Sequence, residues 1–190
     1  VVNPLPIISS NFVGHNIENK FTSKRPDLNQ RTFVSEQVEL VIQNMKSFIK
    51  DKELKWMFEN CYPNTLDTTV DYEKIDGKPD TFIITGDIDA MWLRDSTAQV
   101  WPYMPLITKE LKLKNLIPGL INRQVKCVLA DPYANAFYKD LTKKSYWIYD
   151  SPIPGPGIHE RKWEIDSLCY VIRLSYKYYE LTNDASVFDD

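Results

Sequence analysis

Apolar residues recur every three or four positions along several segments, and this helical periodicity constrains the fold more than any other feature of the sequence. Ser35 is suited to cap the first helix. Pro102 is expected to end the third helix early, because proline does not fit a helix interior. The pattern predicts a mainly α-helical chain with four or five helices, which lie within residues 38–49, 54–58, 95–107, 117–129 and 165–179.

The segments between these helices are expected to form loops with little strand. Residues 1–31 are rich in Asn, Pro and Ser, which predicts an extended lead-in. One short strand is expected at residues 81–85, after a turn at Asp76-Gly77. The loop at residues 131–158 is unusually long for a compact domain, and such loops are typically functional or mobile.

Composition and charge argue against several classes of protein. Lys and Arg number 23 and Asp and Glu number 26, and the resulting net charge of −3 does not suit a general nucleic-acid binder. No apolar run approaches the ~20 residues that a membrane-spanning helix needs. Aromatic residues make up 13% of the chain, and their flat rings can serve as ligand platforms as well as core.

The cysteines and the first residues bear on metal binding and location. Cys61, Cys127 and Cys169 form no CxxC pair, so neither a zinc knuckle nor a disulfide framework is supported. All three are expected to be small buried hydrophobic residues. The chain begins at Val1 with no visible apolar leader. A leader removed before that residue would favour a periplasmic or extracellular location, which the sequence otherwise leaves unknown.

The densest group of polar residues lies at positions 86–96, between the predicted strand and the third helix. Carboxylates, a guanidinium and an indole can together bind a sugar. The carboxylates accept hydrogen bonds from hydroxyl groups, the guanidinium donates in a fixed fork, and the indole covers an apolar face of the sugar ring. The alternative is a structural Arg–Asp helix cap with the indole in the core. A calcium loop is weakly supported, because the glycine and the final glutamate of that motif are missing. The candidate sugar-binding residues are Asp87, Asp89, Trp92, Arg94 and Asp95.

A second group with the same residue types precedes the last helix, at positions 159–167. It contains Glu160, Arg161, Glu164 and Asp166. Carboxylates near a helix N-terminus are favoured by the helix dipole alone, which is the structural alternative. If both helices start at one cleft, the two groups form one wall of it. A weaker third group, at residues 131–137, reads either as part of that cleft or as a polar helix-end loop.

These groups carry a resemblance to a known family. The sequences TGDIDAMWLRDSTAQV at 85–100, DPYAN at 131–135 and HERKWEIDSLCY at 159–170 resemble, in this order, three blocks of glycoside hydrolase family 125. The segment at residues 60–69 is also similar to bacterial members. The resemblance extends from about residue 31 to the end of the chain.

The resemblance implies an exo-acting glycoside hydrolase that releases terminal α-1,6-linked mannose with inversion, without a metal or other cofactor. It implies an (α/α)6 barrel with long loops at the active-site mouth. Residues 32–190 would then be the N-terminal part of one catalytic domain, an incomplete barrel that the remaining half completes. The expected partner is an α-mannoside oligosaccharide, such as one derived from an N-glycan.

The resemblance also restricts which site residues can be assigned. Inversion needs a general acid and a general base about 6.5–9.5 Å apart. Both are expected beyond residue 190, so the catalytic residues are unknown in this chain. The only role that the resemblance implies for residues of this chain is substrate binding. The residues concerned are Asp87, Asp89, Trp92, Arg94, Asp95, Glu160, Arg161 and Asp166. The alternatives are a catalytically incomplete carbohydrate-binding fragment and an (α/α)6 glycosidase with another specificity.

Overall fold

A computed structural model describes residues 21–188 as six α-helices and five short strands. The helices are α1 (Glu36–Phe48), α2 (Lys52–Cys61), α3 (Asn64–Thr68), α4 (Leu93–Val100), α5 (Leu111–Ala130) and α6 (Ile165–Thr182). The strands are β1 (Val70–Ile75), β2 (Lys78–Ile83), β3 (Met91–Trp92), β4 (Ala136–Phe137) and β5 (Ile158–Glu160). Short 3-10 helices occupy Leu28–Gln30 and Trp101–Leu106.

The helix ends follow local chemistry. The Ser35 side chain accepts a hydrogen bond from Val38 N–H at the start of α1, as the sequence predicts. Helix α4 ends at Val100, and the chain tightens into a 3-10 helix where Pro102 follows. The alternative of an Arg–Asp cap at the start of this helix is wrong. The N-cap is Trp92, and no side chain caps the helix.

Strands β1 and β2 form an antiparallel hairpin that packs against α5. Asp76 and Gly77 make its turn with positive φ angles of 51° and 81°, which confirms the predicted turn. The strand predicted at residues 81–85 is observed as β2, which begins at Lys78 and ends at Ile83. Its partner β1 was not predicted. Helix α5 approaches β2 closely at Gly119, where an added Cβ would lie 2.3 Å from Thr81 Oγ1. Only glycine fits this crossing without a shift of the strand.

A second sheet, of three very short strands, connects the three polar segments. Strand β4 lies between β3 and β5 and pairs antiparallel with both. In this sheet Trp92 is opposite Ala136, and Ala136 is opposite Glu160. Residues far apart in sequence are therefore held side by side immediately before the starts of α4 and α6.

Helices α4 and α6 run parallel to each other. Arg94 at the start of α4 contacts Asp166 at the start of α6. One turn further, Thr97 Oγ1 donates to the carbonyl of Tyr170. Beyond the end of α4, the Arg173 guanidinium lies 4.0 Å from the Trp101 ring centroid. The contacts advance along both helices in the same direction, so the two N-termini lie at one end of the molecule.

One face of α6 lacks a partner among the described residues. Val171, Leu174 and Tyr178 are buried in the core. A second stripe of α6 is exposed, although its residues recur at the spacing that usually packs against another helix. Large exposed apolar faces of this kind mark a surface that another element covers. The exposed stripe consists of Ile165, Cys169, Ile172, Tyr176 and Tyr179.

The cysteine prediction is corrected in part. Cys127 is buried on α5, but Cys61 and Cys169 are exposed. Cys61 is the last residue of α2, and Cys169 belongs to the exposed stripe of α6. A helical position is buried only where a partner covers it, and sequence spacing cannot identify the partner.

The predicted lead-in lies only partly within the described residues, since positions 1–20 are outside them. Its last part is tied to the helical body through Arg25, whose guanidinium binds Asp67 at 2.7 Å and Glu39 at 3.0 Å. The hydrogen bonds with Glu39 and Asp67 outweigh burial and raise the pKa of Arg25. Among the helices of residues 21–188, none is both long and apolar enough to cross a membrane.

Candidate functional site

The N-termini of α4 and α6 meet at a single guanidinium group. Arg94 Nη1 donates to Glu164 Oε2 at 2.9 Å and to Asp166 Oδ2 at 3.1 Å. Its other terminal nitrogen, Nη2, lies 3.3 Å from Asp95 Oδ2. We call these four residues the Arg94 cluster. Three carboxylates around one cation give it a formal charge of −2, and each of the four side chains keeps about a third or more of its surface exposed.

The helix starts explain why this arrangement is stable. Asp95 and Asp166 lie in the first turns of α4 and α6, where the positive end of the helix dipole favours carboxylates. The hydrogen bond from Arg94 to Asp166 and the nearby carboxylates raise the pKa of Arg94 against the effect of burial. The guanidinium therefore stays charged at any physiological pH.

A second set of contacts surrounds Glu160 at the end of β5. Its Oε2 accepts from Asn135 Nδ2 and its Oε1 accepts from Lys162 Nζ, both at 2.7 Å. Burial opposes ionisation of Glu160, but the hydrogen bonds from Lys162, Asn135 and Trp92 prevail and lower its pKa. Asn135 also accepts from the backbone of Lys162 at 3.0 Å. Glu160 is thus an ionised, oriented side chain.

Asn135 connects this set to the Arg94 cluster. Its backbone carbonyl accepts from the N–H of Leu93 at 3.1 Å, and Leu93 directly precedes Arg94. Its side chain is almost fully buried and binds Glu160. The loop after α5 therefore supports both groups, and a role of the third polar segment in the cleft stays a prediction.

A buried histidine lies behind the strands. His159 Nδ1 is 2.7 Å from the Tyr138 hydroxyl, and its ring meets the Trp92 ring edge-to-face with centroids 5.1 Å apart. Burial is the main cause that lowers the pKa of His159, so the ring is neutral near pH 7. The neutral imidazole packs against the rings of Trp92 and Tyr138 and so helps to fix the position of Trp92.

The remaining predicted residues lie at the edges of this arrangement. Arg161 pairs with Asp131 at 2.5 Å, so the second and third polar segments are joined by an ion pair as well. Asp89 is exposed and pairs with Lys143 at 2.6 Å rather than with the Arg94 cluster. Asp87 is exposed and forms no ion pair within residues 21–188. A sugar contact by Asp87 or Asp89 stays a prediction.

Some residues of the site were not among the predicted binding residues. Glu164 contacts Arg94 at least as closely as Asp166 does. Its position two residues before Asp166, at the same helix start, is the signal that pointed to it. Asn135 lies in the third polar group and the DPYAN block, but its contacts with Glu160 and Leu93 depend on pairing between distant segments. Lys143 carries no signal in the sequence.

Several buried oxygens near α4 have no hydrogen-bond partner in the described part of the chain. They include Oδ1 of Asp166, Oγ1 of Thr85 and Oε1 of Gln99. Oδ2 of Asp95 also belongs to them, because its contact with Arg94 Nη2 is an ion pair without hydrogen-bond geometry. Gln99 lies one turn after Asp95 on α4, and its amide donates to the carbonyl of Ile84, next to Thr85. Buried acceptors are normally satisfied by protein groups or ordered water, and the described residues supply no hydrogen bond to these four oxygens.

No group of three or more His, Cys, Asp or Glu residues between positions 21 and 188 is arranged to hold a metal ion. The carboxylates of the Arg94 cluster are instead engaged by a guanidinium. The chemistry that this site offers is hydrogen bonding through carboxylates, an amide and a fixed Arg fork.

Comparison with known proteins decides the family. The sequence model for the metal-independent α-mannosidases (GH125) matches residues 51–190. The chain belongs to glycoside hydrolase family 125. All three resembling blocks fall within the matched residues, so the family expected from the sequence is confirmed.

A solved structure and a curated protein extend this assignment. A metal-independent α-mannosidase of Streptococcus pneumoniae, solved in a non-productive complex with α-1,6-mannobiose, is 38% identical with a TM-score of 0.71. The match covers 83% of this chain and 37% of that protein. The meiotically up-regulated gene 157 protein of Schizosaccharomyces pombe is 40% identical over 175 residues, which are 87% of this chain and 34% of that protein.

These likenesses confirm the predicted fold class. The solved mannosidase is an (α/α)6 barrel, and the mainly helical chain corresponds to part of it. The chain spans about a third of the length of both relatives, 34% of one and 37% of the other. Helix α5 runs opposite to α4 and α6. Lys114 near its start pairs with Asp184 just after α6. Gln124, further along α5, donates to Ser96 near the start of α4.

Proposed function

We propose that the protein is an exo-acting glycoside hydrolase that releases terminal α-1,6-linked mannose from an oligosaccharide. The observation that carries the proposal is the Arg94 cluster at the shared N-terminal end of α4 and α6, in a chain of a mannosidase family. The substrate is the α-mannoside oligosaccharide expected from the resemblance, and this chain supplies part of its binding cleft.

The charge of the cluster supports a neutral polyol as the ligand. Glu164, Asp166 and Asp95 surround one cation, so the local charge repels phosphate and carboxylate groups. Sugar hydroxyls donate hydrogen bonds to carboxylates without bringing charge. Ionic acceptors make stronger hydrogen bonds than neutral ones, so a few such contacts orient a pyranose ring.

Hydrolysis with inversion is the mechanism that we infer. A carboxylic acid protonates the leaving O6 oxygen as the C1–O6 bond breaks. On the opposite face, a carboxylate takes a proton from water while the water oxygen bonds to C1. The acid and the base are expected beyond residue 190. In this proposal the Arg94 cluster holds the terminal mannose, and Glu160 and Arg161 line the same cleft.

The exposed stripe of α6 supports the proposal that further chain completes the barrel. Ile172 is 69% exposed and Tyr176 is 66% exposed. A following helix that covers this stripe removes apolar surface from water, which is worth about 25 cal/mol per Å2.

Hydrolysis of a linkage panel by the full-length protein tests the function. We expect release of mannose from α-1,6-mannobiose and none from the α-1,2 and α-1,3 isomers. Proton NMR is expected to show β-mannose first, because inversion of an α-linkage gives the β-anomer. Mannose binding without any hydrolysis favours the carbohydrate-binding alternative, and hydrolysis of another linkage alone favours a different specificity.

Two substitutions test the contribution of the exposed acidic loop. Asp87→Ala and Asp89→Ala are expected to lower this activity while the melting temperature changes little, since both side chains are exposed. Full activity in both variants would remove these residues from the sugar-binding wall.

A further inference from the structure

The long loop between β4 and β5 displays a group of aromatic residues that the proposed cleft does not use. Tyr146, Trp147 and Tyr149 are 79%, 44% and 93% exposed. Side chains of this size usually fill a core or a binding surface, and exposed groups of them typically mark a contact site. Among the three, Trp147 is distinguished by how it is held.

The backbone around Trp147 is fixed to the strand that carries Glu160. The Ser145 hydroxyl donates to the carbonyl of His159 and accepts from the Trp147 N–H at 2.9 Å. Gly157 N–H donates to the carbonyl of Lys143 at 2.9 Å, which closes the base of the loop. The Lys143 side chain is itself paired with Asp89. Trp147 is therefore an exposed aromatic residue on an anchored backbone.

Trp147 is also connected to the proposed sugar-binding wall. Lys162 Nζ lies over its ring, 4.9 Å from the centroid, and donates to Glu160 at 2.7 Å. The Lys162 backbone N–H donates to Asn135, whose carbonyl holds the residue before Arg94. A continuous run of contacts thus leads from Trp147 to the Arg94 cluster. The cation over the ring fixes the indole orientation by a cation–π interaction.

We infer that Trp147 is a stacking platform for the second sugar residue of the oligosaccharide, the one on the leaving-group side of the scissile bond. This inference rests on the proposed function and names a further part of the same cleft. The occupant is a neutral pyranose. One ring face of mannose is formed by C–H groups, and these pack against the electron-rich face of an indole. Because Lys162 Nζ lies over one face of the ring, the sugar packs on the opposite face.

The test compares two substrates in the full-length protein. α-1,6-Mannobiose has a sugar as its leaving group, whereas α-mannosyl fluoride has a single atom there. We expect Trp147→Ala to lower the ratio of kcat/KM for mannobiose to that for the fluoride about tenfold, the size of one good aromatic contact. The inhibition constant of free mannose, which reports binding at the terminal subsite, is expected to stay unchanged.

Matched variants separate stacking from other effects. Tyr149→Ala removes a more exposed aromatic residue of the same loop and is expected to leave the ratio unchanged. Trp147→Tyr keeps a ring and is expected to retain most of the ratio. Trp147→Leu keeps apolar bulk without a ring and is expected to behave like Trp147→Ala.

Each outcome decides something. An unchanged ratio in Trp147→Ala and Trp147→Leu, in an active protein, overturns the stacking inference and leaves the proposed function standing. Failure of all three Trp147 variants to fold would show a structural residue and also overturn it. Absence of hydrolysis of both substrates by the unsubstituted protein overturns the proposed function, and the inference with it.

Discussion

Arg94 and Glu164 lie 70 positions apart in the chain, yet Arg94 Nη1 and Glu164 Oε2 are 2.9 Å apart at the starts of two parallel helices. Arg94 lies in the first turn of α4, and Glu164 is the N-cap residue of α6. Their contact places one cation where two helix N-termini converge, and it orients Asp166 and Asp95 around the same guanidinium. The predictions below begin from this pair.

Removal of the Arg94 guanidinium should impair activity strongly. Arg94→Ala leaves three carboxylates without their shared partner. We expect kcat/KM on α-1,6-mannobiose to fall about 100-fold, because hydrogen bonds to charged groups are worth about 1.5–3 kcal/mol. Arg94→Lys should recover little of the loss, because a single ammonium cannot reproduce the fork. Steady-state kinetics of the full-length protein, with a melting curve of each variant, measures this.

Arg173→Ala is the matched control for Arg94. Its guanidinium stacks on the Trp101 ring at the opposite end of α4, and it forms no ion pair within residues 21–188. We expect full activity in this variant. Equal losses of activity in Arg94→Ala and Arg173→Ala would mean that activity depends on positive charge anywhere along the α4–α6 contact. That result would contradict a special role for the N-terminal end.

Acid should destabilise the protein through His159. Burial lowers the pKa of His159 below its ordinary value of 6.5, so the unfolded chain binds the proton more readily than the folded one. Stability from this group is therefore lost as pH falls below about 6.5 towards the folded pKa. Glu160 and Asp89 oppose this effect, and Lys143 adds to it.

Unfolding curves between pH 7.5 and pH 5 measure the effect of His159. The unsubstituted protein should lose more stability over this range than His159→Gln, which cannot titrate but keeps hydrogen-bonding groups near Tyr138. Parallel curves for the two proteins would show that His159 is protonated as easily in the fold as in the unfolded chain.

The three cysteines should differ in reactivity. Burial raises the pKa of Cys127 to about 12, so its thiol should stay unmodified until the protein unfolds. Cys61 and Cys169 are exposed and should react with a thiol reagent in residues 1–190 alone. In the full-length protein we expect Cys169 to be protected, because the proposed following helix covers its stripe on α6.

Mass spectrometry of the labelled peptides assigns each thiol, and Cys61 serves as the internal standard for reagent access. Rapid labelling of Cys169 in the full-length protein would contradict the proposal that further chain packs on this face. Labelling of Cys127 before unfolding would contradict the packing of α5.

Gly119→Ala should destabilise the fold. The added Cβ would lie 2.3 Å from Thr81 Oγ1 and 3.1 Å from the Thr81 nitrogen, so α5 and β2 must separate. Overpacking of this kind costs about 1–3 kcal/mol, even though alanine favours helices. Urea unfolding measures the cost, and Gly119→Ala combined with Thr81→Ala should recover part of it.

Gly155→Ala is the control for this substitution. A Cβ at Gly155 meets its nearest atom, on Ile158, at an ordinary 3.8 Å. We expect little change in the free energy of unfolding. A similar loss at both glycines would indicate backbone flexibility, rather than the close helix–strand approach, as the cause.

Local signals in the sequence determined the longer helices and the location of the polar segments, but not the short helix α3. The stripes of α1, α5 and α6, the Ser35 cap and the Asp76-Gly77 turn depend on contacts within a few residues, and such contacts are readable from spacing. The three motif blocks likewise identified the family before any fold was known. The prediction that the groups before α4 and α6 share one wall is supported by the Arg94 contacts.

Only the tertiary structure decided which polar residues meet. Strands β3, β4 and β5 have two or three residues each, too few for a periodic signal, and their pairing joins segments that are tens of residues apart. That pairing sends Asp89 to Lys143 rather than to Arg94, and brings Asn135 to Glu160. Burial is decided in the same way. Cys127 and Cys169 both lie on amphipathic helices, and the packing partner of each face makes one buried and the other exposed.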